Sequence, residues 1–396
     1  MVEYNPFDHR IVDNVYTVYR ELRDEFPVYH NSEIGFWALS RFDDVAAAHL
    51  DPATFSSASG ITIEGIDAGQ PFLIVKDPPE HAWHRRIVSR VFTPRRVGGL
   101  EPFIRQTAAE LLDRHVGTDG FDVVTEFSFR LPLDVIGALL DIPPDLRIEV
   151  HEKSDVLAAR DGKEIRPEAA FEASAALITL FTSLIAERRG RPGDDVISML
   201  MQAEVEDEGG TTRMMPDEEL AFRFLELAFA GHETVAKLIA NAVVGLAWYP
   251  EARRELVEDP SLIPNAVEEM LRWDPPSQYQ GRWTTRDVEV RGTTIPADSR
   301  VVLLTGSAGH DERRYEEPEL FDVHRQIDRH VSFGFGIHLC LGAALARLET
   351  RIAFEEFLRR FPEYTIAETG VVRQYSSNVR GLQNLPIVLE PVPVLR

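Results

Sequence analysis

The sequence predicts a mainly α-helical protein in which many helices are accompanied by small β-sheets. Long segments carry apolar residues at spacings of three and four, the pattern of amphipathic or buried helices. Runs of β-branched residues, by contrast, are short and scattered. No internal repeat or composition shift marks a boundary. We therefore expect one domain over residues 1–396, although the length alone would allow two or three.

The helical spacing is clearest in five segments: 101–115, 168–189, 217–248, 263–273 and 341–361. At about 1.5 Å per residue, the third would be close to 48 Å long, which is enough to cross the molecule.

Strand signals are clearest near the C-terminal half of the chain. Segments 287–296 and 300–305 read as two strands joined through Pro296 and Asp298, and the last stretch, 385–395, reads as a further strand. The polar stretch 204–219 is typical of a surface loop.

The charge balance excludes several classes of partner. There are 65 acidic residues against 42 Lys and Arg, a formal net charge of -23, which repels phosphate backbones and anionic lipid. The first residues show neither a secretion signal nor a membrane anchor. One cysteine cannot form an internal disulfide, as expected in a reducing compartment. We expect a cytoplasmic protein with no nucleic-acid or membrane partner.

The segment FGFGIHLCLG, residues 333–342, contains that only cysteine, Cys340, among three glycines and one histidine. Apolar residues at 341, 345, 348 and 352 predict a helix directly after it. The free N–H groups and the dipole at a helix N-terminus should lower the pKa of the thiol below its usual value of about 8.5. Glycines allow a flat partner to approach closely, or positive φ. The pattern indicates a thiolate that acts as metal ligand or nucleophile.

Three other interpretations of Cys340 are weaker or only partial. Most lone cysteines are small buried hydrophobes. A nucleophile with His338 as its base is awkward, because the two residues are only two positions apart. A zinc or iron–sulfur site would need several cysteines.

The residues Phe333, Gly336, His338, Cys340 and Gly342 together resemble the haem-binding loop of the cytochrome P450 monooxygenases. In that family the cysteine thiolate is the proximal ligand of the haem iron. The resemblance extends from residues 5–8 to the final strands. It implies a P450-like fold, with many helices around a buried haem b, in which Cys340 binds iron and the other four residues contact the cofactor.

The segment AGHET, residues 230–234, lies within the longest predicted helix. Glycine there costs about 1 kcal/mol relative to alanine, and taken alone the polar turn could simply face solvent. The resemblance implies the family's oxygen-binding groove: Gly231 gives space for dioxygen and water, the Thr234 hydroxyl holds the oxygen, and Glu233 supplies protons. His232 is expected to pack or face solvent. Val235 stands where many members carry a second hydroxyl.

The pattern E-x-x-R occurs at Glu269 and Arg272, and also at 251–254 and 356–359, where plain solvated salt bridges are expected. The order of motifs makes Glu269 and Arg272 the match to the family's structural ion pair, which supports the haem pocket. The family usually adds an arginine downstream. Here Leu320 occupies that place, so His324 or Arg325 would have to complete the network.

Haem carries two propionates, which need cations in so acidic a protein. By resemblance, His81 and Arg85 on one helix, Arg282 on a strand and His338 in the cysteine loop bind them. His84 does not match and is expected at the surface or in packing.

Residues 85–96 contain five arginines and no acid. They could be an ordinary basic helix face. By resemblance this is the proximal side, where an acidic ferredoxin would dock. Because no flavin or ferredoxin domain follows Arg396, electrons are expected from NAD(P)H through a separate ferredoxin and ferredoxin reductase.

The implied reaction inserts one oxygen atom of O2 into a small, largely apolar organic substrate and releases the other as water. A peroxide-driven haem-thiolate peroxygenase is an alternative against which Glu233 and Thr234 argue, and a non-catalytic haem sensor is another. The resemblance places the pocket along 61–69, 170–185, 228–229, 277–281 and 375–378. Gln278 and Gln280 could bind a polar substrate group, or face backbone or water.

Overall fold

The computed structural model describes residues 3–65, 71–158, 168–207 and 209–389. Helices dominate these residues, as predicted. Their bounds are α1 His9–Asp13, α2 Val15–Glu25, α3 Phe42–Leu50, α4 Glu80–Val88, α5 Pro94–Gly99, α6 Glu101–Asp113, α7 Arg130–Leu139, α8 Pro144–Ala158, α9 Glu168–Gly190, α10 Val196–Met201, α11 Asp217–Trp248, α12 Pro250–Glu258, α13 Ile263–Trp273, α14 Thr305–Ala308 and α15 Ala343–Arg360. All five predicted helices are confirmed with ends shifted by at most two residues.

The strands are short and form small sheets. Their bounds are β1 Val28–Asn31, β2 Phe36–Leu39, β3 Phe55–Ser56, β4 Gly120–Asp122, β5 Val205–Glu206, β6 Thr212–Arg213, β7 Gln280–Thr284, β8 Val288–Val290, β9 Thr293–Ile295, β10 Arg300–Leu303, β11 Tyr364–Ile366, β12 Val372–Gln374, β13 Gly381–Asn384 and β14 Pro386–Leu389. The largest sheet has the order β1-β2-β10-β7-β3, with β10 parallel to β2 and the other pairs antiparallel. A second sheet has the order β11-β14-β4.

Strands form in both predicted segments, 287–296 and 300–305, but the first segment contains two strands and not one. It folds on itself as the hairpin β8–β9. Arg291 (φ 52°) and Gly292 (φ 77°) supply the two positive φ values that a tight hairpin turn needs, and β10 pairs with β7 and β2 instead. The expected surface loop 204–219 is mostly exposed among its described residues, but it contains the short hairpin β5–β6, which was not predicted. Its last residues begin α11, in agreement with the predicted helix 217–248.

Helix α11 is the central element and packs against α7, α9 and α15. Residues 235–243 are buried on every side of the helix, including the polar Lys237 and Asn241. Burial on all sides is typical of a helix in the core of a large protein. The main apolar core surrounds it, and a smaller cluster lies between the five-stranded sheet and α3. None of the helices that the structure describes is long and apolar enough to cross a membrane. One domain over 1–396 stays a prediction.

Candidate active site

The cysteine loop runs from Phe333 to Gly342 and is held by its own backbone. The N–H of Cys340 donates to the carbonyl of Phe333 (2.9 Å), and α15 begins three residues later. Gly334 and Gly336 have φ values of 67° and 68°, in agreement with the prediction that glycines in this loop allow positive φ. Gly342 has an ordinary φ of -83°, so its backbone does not require glycine.

The Cys340 thiol lies inside the protein and still presents surface. Burial raises its pKa, and this effect exceeds the opposing hydrogen bond from the Gly342 N–H and the charges of Arg85 and Arg347. The predicted lowering of this pKa is therefore wrong for the protein chain alone, because desolvation outweighs the helix N-terminus. The neighbouring Leu339 is 43% exposed. The sulfur is therefore surrounded by protein and still accessible.

The middle of α11 has a matching feature. Ala230 and Thr234 are exposed, although α11 is buried before and after them. The hydroxyl of Thr234 donates to the Ala230 carbonyl at 3.3 Å. Because α11 crosses the interior, the exposure of these two residues marks a gap in the packing around the helix, at which the Thr234 hydroxyl is accessible.

Gly231 faces α7 rather than open space. A Cβ built there would lie 2.6 Å from Cδ1 of Ile136. Close helix packing is thus sufficient reason for glycine at this position, and its role in making room for dioxygen stays a prediction.

Glu233 and His232 point to other parts of the fold. Glu233 is 7% exposed, and its Oε1 accepts a hydrogen bond from Nε2 of Gln374 on β12 at 3.0 Å. His232 is buried, with Nδ1 2.9 Å from the Ala228 carbonyl oxygen and its ring edge-on to Phe129. His232 is therefore a packing residue, one of the two roles expected for it. Val235 is buried in the core.

The structure brings four predicted cationic residues together beside the cysteine loop. The rings of His81 and His338 have centroids 4.4 Å apart. Arg85, on the same helix as His81, donates to the Leu339 carbonyl at 2.5 Å. Arg282 on β7 is buried, and it donates to the Gly281 carbonyl at 2.7 Å.

Electrostatics within this cation cluster (His81, Arg85, Arg282 and His338) is unfavourable for the protein alone. Burial, then Arg282 and the other members, lower the pKa of His338 to about 2. Burial also lowers the pKa of Arg282 to about 10. Nε2 of His81 is buried and has no hydrogen-bond partner among the described residues. The nearby carboxylate, Asp77, is already held by Ser56 and Ser57. An added anion would relieve the repulsion and satisfy the donors, so the cluster fits a ligand with carboxylates.

His84, on the same helix, is not part of the cluster. It is 3% exposed, packs edge-on against Trp83, and its Nε2 lies 3.7 Å from Glu219. Packing, one of its two expected roles, is confirmed.

Glu269 and Arg272 form an ion pair that is fully buried on α13. The guanidinium binds both carboxylate oxygens at 2.6 and 2.7 Å. It also donates to the carbonyls of Gly309, Pro318 and Leu320. One arginine thus ties α13 to the chain segment that leads towards the cysteine loop.

Arg325 completes this network, while His324 does not. Nε of Arg325 lies 3.3 Å from Glu269 Oε1, and its other donors reach the carbonyls of Glu316 and Glu317. His324 instead contacts Glu255 at the surface. The other two E-x-x-R pairs differ from each other. The pair at 251–254 is exposed, as expected. That at 356–359 is not a plain surface pair, since Glu356 is buried and also binds Arg105 and Arg360.

Comparison with known proteins agrees with this arrangement. The family model for cytochrome P450 matches residues 168–390. A putative cytochrome P450 123 of Mycobacterium tuberculosis is 39% identical over 98% of this chain and 96% of its own length. This chain belongs to the cytochrome P450 family. Solved P450 structures superpose on it with TM-scores between 0.84 and 0.89.

Relatives whose names include a ligand or substrate are almost as similar to this chain as the Mycobacterium tuberculosis protein. The erythromycin C-12 hydroxylase of Saccharopolyspora erythraea is 36% identical over 94% of each chain. The crystal structure of CYP109E1 from Bacillus megaterium in complex with corticosterone has a TM-score of 0.85 and 32% identity, and covers 96% of this chain and 99% of that one. These P450s share the fold of this chain and differ in the compounds they are named for.

Two residues beside the P450 site were missed from the sequence. His49 at the end of α3 lies under the cysteine loop, and Gln374 binds Glu233. No local motif distinguishes either of them, because each reaches the site through tertiary packing alone. Gln278, expected as a possible substrate contact, donates instead to the Pro275 carbonyl and the Tyr16 hydroxyl. Part of the expected pocket segment 61–69 lies outside the described residues.

Proposed function

We propose that this P450 is a haem-thiolate monooxygenase that hydroxylates or otherwise oxidises a small, largely apolar organic substrate. The observation that carries the proposal is the placement of the chain's only cysteine, accessible although surrounded by protein, beside a cluster of two arginines and two histidines with an unsatisfied nitrogen. Cys340 would bind the haem iron, and His81, Arg85, Arg282 and His338 would bind the propionates. Haem b, when bound, supplies the activation of dioxygen.

The protein's part at Cys340 is to hold the sulfur in place and to offset part of its negative charge. Burial disfavours the thiolate, and the charge of a bound metal ion would supply the remaining stabilisation. The Gly342 N–H holds the sulfur in place, and Arg85 and Arg347 favour its negative charge. Phe333 lies under the Arg347 guanidinium, 4.7 Å from carbon to ring centroid, and closes this side of the loop.

On the α11 side, the protein's part is proton supply. Gln374 donates to Oε1 of Glu233, so the proposed proton carrier is the other carboxylate oxygen, Oε2. That oxygen can take a proton and pass it on, by way of water, to the exposed Thr234 hydroxyl. A buried acid next to an accessible alcohol favours use of O2 over a peroxide-driven reaction, which brings its own protons.

We further propose a ferredoxin and ferredoxin reductase, fed by NAD(P)H, as electron donors, and a cytoplasmic location. Arg86, Arg90 and Arg95 are exposed, and with Arg96 they make a basic patch that forms no salt bridge among the described residues. An acidic carrier would be steered to such a patch on a protein of net charge -23.

The substrate is proposed only as a chemical class. An erythromycin hydroxylase and a P450 crystallised with corticosterone resemble this chain almost equally. Neither compound is therefore assigned as the substrate of this chain. Among the polar residues at 277–281, Gln280 remains a candidate for contact with a substrate oxygen; its Nε2 donates to Ser277 at 2.5 Å.

Turnover tests the proposed reaction. Candidate substrates are first selected by a shift in the haem spin state, and product is then measured with ferredoxin, reductase, NAD(P)H and O2, or with hydrogen peroxide alone. We expect product to depend on the electron-transfer chain and to incorporate oxygen from 18O2. Equal or faster product formation with peroxide alone would favour a peroxygenase, and reductant use without product from any substrate would favour a sensor.

A further inference from the structure

His49, in the last turn of α3, is a buried histidine whose ring nitrogens both lack a partner. The residue is 3% exposed, and neither Nδ1 nor Nε2 has a hydrogen bond to any described residue. Buried polar atoms in native proteins are nearly always paired, and an unpaired one carries a desolvation cost. The two nitrogens therefore indicate a partner other than the protein chain.

The ring lies against the first half of the cysteine loop. A Cβ built on Gly334 would lie 3.5 Å from Cε1 and 3.7 Å from Nδ1 of His49. A Cβ built on Gly336 would lie 2.8 Å from the His49 carbonyl oxygen. Both glycines are therefore in direct contact with His49, and the loop rests on this residue.

The charged group that acts on His49 is Arg282 of the cation cluster. Burial, then Arg282, lower the pKa of His49 to about 3, and His49 in turn contributes to the lowered pKa of His338. At neutral pH the ring is uncharged, so one nitrogen carries a proton that it can donate. Because the adjacent cluster fits carboxylates, a carboxylate oxygen or a water bound to it is the acceptor that this position offers.

We propose that His49 donates a hydrogen bond, directly or through one water, to the haem carboxylate that Arg282 also binds. His49 would then connect that carboxylate to the cysteine loop, which it contacts at Gly334 and Gly336. The inference rests on the proposed function, in that haem must occupy the site. His49 is a positioning residue, since it does not contact the reacting atoms.

The test compares haem retention in three variants of the holoprotein. His49→Leu keeps the volume and removes the donor, and His49→Asn keeps a donor. His115→Leu is the matched control, because His115 also has an unpartnered Nε2 but stacks on Phe121 in another part of the chain. The rate of haem transfer to apomyoglobin and the midpoint potential of the iron are measured for each variant. If His49→Leu does not fold, His49→Met replaces it.

We expect haem transfer to be about tenfold faster in His49→Leu, the effect of one lost hydrogen bond to a charged group. Its potential should fall, because less positive density then faces the carboxylate. His49→Asn should stay close to wild type, and His115→Leu should not differ from it. Two results would show that His49 is only a packing residue. One is a wild-type rate of haem transfer and a wild-type potential in His49→Leu. The other is an equal increase in the rate of haem transfer in His49→Leu and His49→Asn.

Failure of the proposed function gives a different result. In that case the wild-type protein itself lacks a thiolate-type carbon monoxide spectrum, whatever residue stands at position 49.

Discussion

At the scale of single residues, the site depends on side chains whose surroundings do not match their chemistry. Thr234 is an exposed alcohol in the middle of a buried helix, and Cys340 is a thiol whose pKa is raised by burial although its proposed role is that of an anion. Groups with perturbed pKa values, and accessible polar groups within an otherwise buried helix, are candidates for a functional role. In the proposed site a bound cation stabilises the Cys340 thiolate, and a bound oxygen ligand contacts the Thr234 hydroxyl.

Thr234→Ala should uncouple reductant use from product formation. In the proposed proton route, loss of the hydroxyl interrupts delivery from Glu233, so NAD(P)H consumption should continue while its electrons end in hydrogen peroxide. We expect product per NAD(P)H to fall by roughly tenfold or more; positioned proton-transfer groups typically contribute about 100-fold to 10,000-fold to a rate, and water can replace part of that contribution. The measurement is the ratio of product and peroxide to NAD(P)H consumed.

Thr234→Ser is the control, because it keeps the hydroxyl and should keep most of the coupling. Full coupling in Thr234→Ala would show that protons reach the site by another route.

At the scale of elements, the network of Glu269, Arg272 and Arg325 fixes α13 to the segment at 309–325. Arg272 alone reaches three carbonyls of that segment. Fully buried ion pairs are stable only with such additional hydrogen bonds, since desolvation of both charges is expensive.

Substitutions in this network should follow a definite order of destabilisation. Glu269→Gln leaves the buried Arg272 charge without its partner and should cost about 3–5 kcal/mol. Arg325→Met removes one contact to Glu269 and several to carbonyls, and should cost about 1–3 kcal/mol. Arg254→Met breaks only the exposed pair with Glu251 and should have no measurable effect. Thermal unfolding of the three holoproteins gives the order, and equal midpoints for Arg325→Met and Arg254→Met would contradict it.

The same elements show how far the sequence predicts the structure. The bounds of helices such as α11 and α13 were predicted to within two residues, because the spacing of apolar residues along the sequence already indicates which positions of a helix are buried. The β8–β9 hairpin was missed, because its turn depends on positive φ at Arg291, a residue that rarely adopts it. Arg325 and His324 were indistinguishable, since the choice depends on which side chain reaches α13 in three dimensions.

At the scale of the whole molecule, the charge distribution is uneven. The basic patch of Arg86, Arg90, Arg95 and Arg96 stands against a net charge of -23. Because its arginines form no salt bridges among the described residues, their charge is available to a partner. Long-range steering of this kind raises the association rate and is weakened by salt.

Changing these four arginines to glutamine should slow electron transfer from an acidic ferredoxin by about tenfold at low ionic strength and flatten its salt dependence. The control changes four arginines elsewhere, Arg10, Arg20, Arg254 and Arg313, and alters the net charge equally. Stopped-flow reduction over a range of salt concentrations gives both quantities. Equal slopes for the two quadruple variants would place the docking surface elsewhere.

The family of the chain and its helical architecture followed from the sequence, whereas the state of the active cysteine did not. The raised pKa of Cys340 and the unpartnered ring of His49 depend on how many atoms surround them, which no motif specifies. Both features are consistent with the proposed binding of haem by Cys340 and the cation cluster.

The most direct test is the absorption spectrum of the reduced protein with carbon monoxide. We predict the red-shifted band of a thiolate-ligated haem in the wild-type protein, and its loss in Cys340→Ala. A wild-type spectrum without that band, or a band that persists in Cys340→Ala, would contradict the assignment of Cys340 as the haem ligand.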